Sequence, residues 1–206
     1  HGQRLVSEGA DVLDIGGEST RPNAARVSLS EELRRVIPVV TALAARVKTA
    51  ISVDTSKAEV ARQALQAGAT MVNDVTALLD PQMGRVIAQA KASVILMHMR
   101  GTPKTMQRAP RYRHVVNDVR DFLAEAIRRA RASGIRADRI WIDPGLGFGK
   151  TVEHNLQLLR RLEVLERLGA PIVVGPSRKS FIGKVLNVEV PERLSGTLAC
   201  VAEAVQ

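Results

Sequence analysis

Phe, Trp and Tyr make up only 2% of these 206 residues. The interior therefore has to be built from Leu, Val, Ile and Ala. That suits a parallel α/β protein, whose strands are rich in branched aliphatics. The same scarcity argues against a nucleic-acid partner that needs aromatic stacking platforms. Cys200 is the single cysteine, so a disulfide within the chain and a cysteine-rich metal site are excluded. One thiol fits a reducing, cytoplasmic setting. No apolar run approaches the length of a membrane span, and the first residues do not read as a signal peptide. A start without Met and an end inside an Ala/Val/Glu run read as a segment of a longer protein.

What is present is ordinary globular usage, with 45% hydrophobic and 25% charged residues. That is enough for one domain over residues 1–206 with a real core. The net charge is +9. Arginine clusters such as Arg128-Arg129-Ala130-Arg131 and Arg160-Arg161 read as solvated helix faces. No nucleic-acid recognition motif accompanies them. A basic, non-catalytic binding module is the alternative reading. A third is that a few cations face an anionic small substrate.

The most informative stretch is Ile140-Trp141-Ile142-Asp143-Pro144-Gly145-Leu146-Gly147-Phe148-Gly149-Lys150. An apolar run ends in a carboxylate, and a glycine-rich loop follows. Pro144 cannot donate to a ladder and stops the strand. The pattern places Asp143 at the carboxyl end of a buried strand, where α/β folds bind ligands. Similar strands are expected at Asp11–Ile15, Ala50–Asp54, Met71–Asp74, Ala92–His98 and Pro171–Gly175. Helices are expected from Ser30 to Val47 with Pro38 as a possible kink, and from Lys57 to Ala67 with Ser56 as cap. Others are expected over Gln82–Ala90, His114–Ala132, Glu153–Leu168 and Pro191–Gln206. Strict alternation of strand and helix implies a parallel sheet with right-handed crossovers. About six strands fit an open doubly wound sheet or an incomplete (β/α)8 TIM barrel. The shortfall from the roughly 250 residues of a whole barrel favours the barrel.

The strand ends carry Asp14, Asp54, Asn73, His98, Asp143 and Ser177 to Ser180. Any one could be a turn former without chemistry, and Asp14 could be only that. A series on one rim points to a shared site. Asp54, Asn73, Asp143 and Lys179 suit a flat, donor-rich heterocycle. A guanidine-like edge pairs with a carboxylate through two parallel bonds, and Lys179 would serve a ring carbonyl or nitrogen. Ser19-Thr20-Arg21-Pro22 and Ser177-Arg178-Lys179-Ser180 could contact a phosphate or carboxylate. One His and scattered carboxylates make a poor tight-metal set. Gly145 to Thr151 imitates a P-loop, but Pro144 stands where that pattern requires its first glycine.

Together these stretches resemble the dihydropteroate synthases of the pterin-binding family. The resemblance rests on Asp14-Ile15-Gly16-Gly17-Glu18-Ser19-Thr20-Arg21-Pro22, Ser52-Val53-Asp54-Thr55 and Asn73-Asp74-Val75. It extends to Met97-His98-Met99-Arg100-Gly101-Thr102-Pro103, Asp143 to Lys150, and Ser177-Arg178-Lys179-Ser180-Phe181-Ile182-Gly183. It implies a TIM barrel that joins p-aminobenzoate to 6-hydroxymethyl-7,8-dihydropterin diphosphate in folate synthesis, releasing pyrophosphate. It implies that Asp54, Asn73, Asp143 and Lys179 hold the pterin, with Thr20 contacting the pterin diphosphate and Asp54, Asp143 and Lys179 carrying the catalysis. Thr20, Arg21 and Pro22 would form a loop over the site. Phe148, Lys179 and Ser180 would line the p-aminobenzoate side, which sulfonamides occupy in this family. Asn23 stands where the family usually has glycine. The family's Mg2+-binding Asn is expected upstream of His1 and its diphosphate-gripping Arg-x-His beyond Gln206, so no metal ligand is expected within this chain and the segment alone is expected to be inactive. A homodimer with no membrane partner is implied. A pterin-binding methyltransferase domain is the rival enzyme.

Overall fold

The computed structural model describes residues 1–22 and 24–206. Asn23 lies outside the described residues. The elements run α1 (Gly2–Ser7), β1 (Val12–Gly16), α2 (Leu29–Ala44), β2 (Ala50–Asp54), α3 (Ala58–Gln66), β3 (Met71–Asp74) and α4 (Met83–Gln89). There follow β4 (Ser93–Met97), α5 (Val115–Ala132), β5 (Ile140–Asp143), α6 (Val152–Arg160), α7 (Glu163–Glu166), α8 (Ser180–Leu186) and α9 (Leu194–Ala204). The five strands form one parallel sheet in the order β1-β2-β3-β4-β5. Each crossover is helical. The architecture is the α/β, incomplete TIM barrel expected from the alternation.

The strands form where branched aliphatics can be buried on both faces. Val53, Val72, Val94, Leu96, Ile140 and Ile142 are all essentially inaccessible. Each such side chain contributes roughly 1.5–3 kcal/mol of burial. One core cluster lies between the β1–β4 part of the sheet and α2, α3 and α4. A second packs α5, α6 and α8 against Ile142 and Leu146.

Three expectations about elements need correction. The sixth strand is reduced to a bridge between Ile142 and Ile172, held by Ile142 N–H to Pro171 O at 3.0 Å and Val173 N–H to Ile142 O at 2.8 Å. Pro171 and Pro176 bracket the run, and neither has an N–H to extend a ladder. The cap of α3 is not Ser56. Residue 57 is the N-cap, without a side-chain bond, and the Asp80 carboxylate accepts from Ala58 N–H at 3.0 Å. Ser28 caps α2 through Glu31 N–H, and the helix continues through Pro38. The expected helix 153–168 is broken at Arg161, whose φ of −130° leaves the helical region. Short α8 had no counterpart in the sequence reading.

Candidate active site

Register brings the rim together. Gly16 pairs with Asp54, Asp54 with Asn73, and Met97 with Asp143. Adjacent parallel strands lie about 4.8 Å apart, so these chemical groups line one end of the sheet.

Asp54 is half-buried at the end of β2. No hydrogen bond or ion pair reaches its carboxylate among the described residues. Burial pushes its pKa up to about 7, and the neighbouring carboxylates of Asp14, Glu32, Asp74 and Glu18 add to the effect. Asn73, beside it on β3, donates from Nδ2 to Asp14 Oδ2 at 3.0 Å. Its Oδ1 is buried with no partner among the described residues.

Asp143 ends β5, and its Oδ1 accepts from Gly145 N–H at 2.6 Å. Burial raises it to about 6, while the Gly145 bond and the charges of Lys179 and Lys150 pull the other way. Lys179 stands at the N-cap of α8. Its Nζ lies 4.2 Å from the centroid of the Phe148 ring, a cation–π contact. Burial lowers its pKa, opposed by the fields of Asp143 and Asp54, while Arg21 adds to the lowering. Lys179 thus senses carboxylates on both β2 and β5. Asn73 is tied to this set only through its register with Asp54.

The glycine loop is held from several sides. Gly145, Gly147 and Gly149 have φ of +69°, +82° and +63°, a region that L side chains avoid. Gln107 Nε2 donates to Gly147 O at 2.6 Å, and Tyr112 Oη to Gly149 O at 2.7 Å. Asn155 Oδ1 accepts from Gly147 N–H at 2.7 Å. Lys150 is buried and donates to Gly145 O at 2.9 Å and Phe148 O at 3.0 Å. An ammonium committed to the loop's own carbonyls leaves no P-loop.

Of the remaining predicted residues, Thr20 lines a cavity of about 640 Å³ together with Asp54. That cavity opens between the loop after β1, the start of α3 and the Met99–Lys104 loop. Asn73, Asp143 and Lys179 are outside its lining. Arg21 is close enough to depress Lys179, and Arg21 and Pro22 are exposed. Phe148 is half-buried and Ser180 exposed at the start of α8. Among the described residues, no group of three or more His, Cys, Asp or Glu side chains is arranged to hold a metal.

Sequence reasoning missed the support beneath the rim. Lys57 bridges Glu18 and Glu32, and Thr55 Oγ1 donates to Glu32 Oε1 at 2.6 Å. Glu32 is 1% exposed. A Lys after Ser56 looks like an ordinary helix start, so only the burial of Glu32 reveals the pairing. The contact from Asp14 to Asn73 was equally invisible. Its only trace was the placing of a carboxylate at the first strand end.

The rim of this parallel α/β sheet thus carries two carboxylates and an amide at strand ends, with a lysine within the field of both carboxylates. The profile described as pterin binding enzyme matches residues 1–206, and the chain belongs to that family. Within it, the chain is similar to dihydropteroate synthases. It is 51% identical over 203 residues to the dihydropteroate synthase of Synechocystis sp., covering 98% of this chain and 70% of that protein. The Yersinia pestis dihydropteroate synthase solved in a sulfonamide drug complex superposes with a TM-score of 0.97 at 47% identity, covering 100% of this chain and 74% of that one. The Xanthomonas albilineans enzyme solved with 4-aminobenzoic acid gives 0.94 at 48% identity, covering 99% and 73%.

Proposed function

We propose that this rim holds the pterin ring of 6-hydroxymethyl-7,8-dihydropterin diphosphate for transfer to p-aminobenzoate. The activity is that of dihydropteroate synthase in folate biosynthesis, a transferase that releases pyrophosphate. The register of Asp54 with Asn73, and the position of Lys179 within the fields of both Asp54 and Asp143, support the reading. Asp143 takes the guanidine-like edge of the pterin through two parallel bonds. Lys179, beside it, donates to the ring carbonyl. Asp54 and Asn73 meet the opposite edge.

The C–O bond to diphosphate breaks as positive charge develops at the exocyclic CH2. Ionised Asp54 and Asp143 stabilise that charge in a partly desolvated site. The aniline nitrogen attacks the CH2, the C–N bond forms, and the nitrogen loses its proton. Thr20, Arg21 and Pro22 sit where a loop can cover the reactants, with Thr20 and Arg21 facing the diphosphate. Phe148, Lys179 and Ser180 line the p-aminobenzoate side, a reading supported by the contact of Lys179 Nζ with the Phe148 ring and by the start of α8 at Ser180.

Residues 1–206 act as one partial barrel domain in this reading. A homodimer is supported by an exposed apolar strip of Leu194, Leu198, Val201 and Val205 on and just after α9. No described helix is long and apolar enough to cross a membrane; a cytoplasmic setting is supported by the free thiol of Cys200.

The test is calorimetric titration of 6-hydroxymethyl-7,8-dihydropterin into the chain and into Asp143→Asn. Binding by the wild type, weakened at least tenfold in the variant through loss of the bidentate charge-assisted pair, supports the reading. Absence of binding by the wild type overturns it.

A further inference from the structure

We propose that Asp14 is a positioning residue that fixes the orientation of the Asn73 carboxamide and so makes the site prefer a 7,8-dihydropterin over the fully oxidised pterin. This rests on the reading above, in which Asn73 faces the ligand.

Asp14 sits on β1 in register with Ser52, and Asn73 sits on β3 in register with Asp54. Asp14 and Asn73 are therefore not on neighbouring strands. Side chains on one face of a sheet alternate along each strand. Register puts Asp14, Ser52, Asp54 and Asn73 on the same face, the one the barrel encloses. The Asp14 carboxylate reaches diagonally across β2 to accept from Asn73 Nδ2 at 3.0 Å.

A carboxylate offers only acceptors, and an amide NH2 offers only donors. Turning the Asn73 amide over would set its carbonyl oxygen against a carboxylate oxygen. The contact with Asp14 thus decides which end of Asn73 is left for a ligand. What is left is Oδ1, buried and without a partner among the described residues. A buried acceptor of this kind costs free energy until a donor meets it. The pocket therefore asks for an N–H at this point.

The chemistry of the ligand says which N–H. In a pterin, the N3–H and C4 carbonyl lie on one edge of the bicycle, and N8 lies on the opposite side. Asp143 and Lys179 occupy the first edge, so the N8 side falls toward the ends of β2 and β3. In a 7,8-dihydropterin N8 bears a hydrogen. In the oxidised pterin N8 is a bare acceptor. Asn73 Oδ1 can accept from the first and meets the second lone pair to lone pair. Sites built to pair a buried polar group discriminate strongly against the analogue that leaves it unpaired.

The experiment measures a ratio. Calorimetric dissociation constants for 6-hydroxymethyl-7,8-dihydropterin and 6-hydroxymethylpterin are taken for the wild type, Asp14→Asn and Asp14→Ser. The wild type is expected to favour the dihydro form by about tenfold or more, the cost of one unmade buried hydrogen bond. Both substituents can donate as well as accept, so either lets the Asn73 amide turn over, and the ratio is expected to fall toward unity. Two variants are used so that one failing to fold still leaves the other. A role of Asp14 in fold stability alone would weaken both ligands together and leave the ratio unchanged. An unchanged ratio, or a wild type without preference, overturns the proposal while leaving the pterin site standing. A wild type that binds neither compound overturns the site reading, and this inference with it.

Discussion

Lys150 and His98 face each other beneath the glycine loop, with 2.9 Å between Nζ and Nδ1. Only a neutral imidazole can accept there. Burial, reinforced by the charges of Lys150 and Arg100, lowers the His98 pKa to about 3. Burial also lowers Lys150 to about 7. The same ammonium holds the carbonyls of Gly145 and Phe148. His98 N–H donates to Asp143 O at 2.9 Å. The pair therefore ties the ends of β4 and β5 to the loop that positions Asp143 and Phe148. The sequence offered no role for His98, and the structure makes it part of a clamp.

Lys150→Met keeps the volume and removes the donor. Several buried acceptors then lose their partner, at roughly 1–3 kcal/mol each. We expect a loss of about 3 kcal/mol or more in urea unfolding. Pterin affinity should also fall, because the loop that aims Gly145 N–H at Asp143 is loosened. An unchanged urea midpoint would show that the clamp is not what holds the loop.

His98 gives stability a definite slope with pH. Its folded-state pKa, about 3, lies below the unfolded value of 6.5. Between these values the unfolded chain binds more protons, so stability rises with pH across that window and is lost as pH falls toward 3. Asp54 acts in the opposite sense. Its folded pKa is raised from 3.8 to about 7, so the folded chain binds more protons between them and stability falls as pH rises. We expect Asp54→Asn to steepen the gain in stability from pH 4 to 6.5, and His98→Asn to flatten it. Urea midpoints at half-unit intervals of pH check both signs. Identical slopes in all three proteins would refute the assignments.

The raised Asp54 pKa also predicts how ligand binding titrates. Only the ionised form is purely an acceptor and meets the ligand's N–H groups with a charge-assisted bond. Affinity for 6-hydroxymethyl-7,8-dihydropterin should therefore strengthen as pH rises through about 7. In Asp54→Asn that inflection should vanish. Calorimetry from pH 5.5 to 8.5 decides it, and persistence of the inflection in the variant would assign the titration to another group.

Glycines of the same loop should respond differently to Ala. At Gly145 a Cβ would stand 2.0 Å from the His98 carbonyl oxygen, and backbone cannot retreat cheaply. Gly145→Ala should fail to fold or lose several kcal/mol, as overpacking and strain add. At Gly147 the nearest atom is Lys179 Cδ, at 3.2 Å. Gly147→Ala should fold with a loss of about 1–2 kcal/mol from its positive φ, yet displace the Lys179 stem and weaken pterin binding. Thermal melts and titration of the two variants check the contrast.

The barrel was legible because its causes are local. Runs such as Ala50–Asp54 and Ile140–Asp143 carry the apolar content of doubly buried strands, and glycines such as Gly68 and Gly134 stop helices with positive φ. The positions of Asp54, Asn73 and Asp143 at one end of the sheet were legible because parallel strands share a rim in such a fold. What stayed hidden depends on partners far along the chain. Ser56 looked like a cap, but Asp80 satisfies the first turn of α3. Asp14 looked like a turn former, but its partner is 59 residues away. Helix α8 is short and begins at a lysine turned toward the site, so no cap or long periodic pattern announced it.

The carboxylate network under the rim gives a last prediction. Glu32 is 1% exposed and held by Lys57 and Thr55. Burial works against the Lys57 charge, and its bonds to Glu18 and Glu32 outweigh it, raising its pKa. Removing one partner of a buried pair leaves an uncompensated charge and costs roughly 3–5 kcal/mol, whereas removing both costs much less. Lys57→Met should therefore be severely destabilising, and Glu32→Gln combined with Lys57→Met should recover a large part of the loss. Because Thr55 follows Asp54 directly, Lys57→Met should also disturb the rim and weaken pterin binding, with partial recovery in the double variant. Urea unfolding and titration of the single and double variants measure the coupling. Strictly additive losses would mean that Lys57 and Glu32 do not act as a pair.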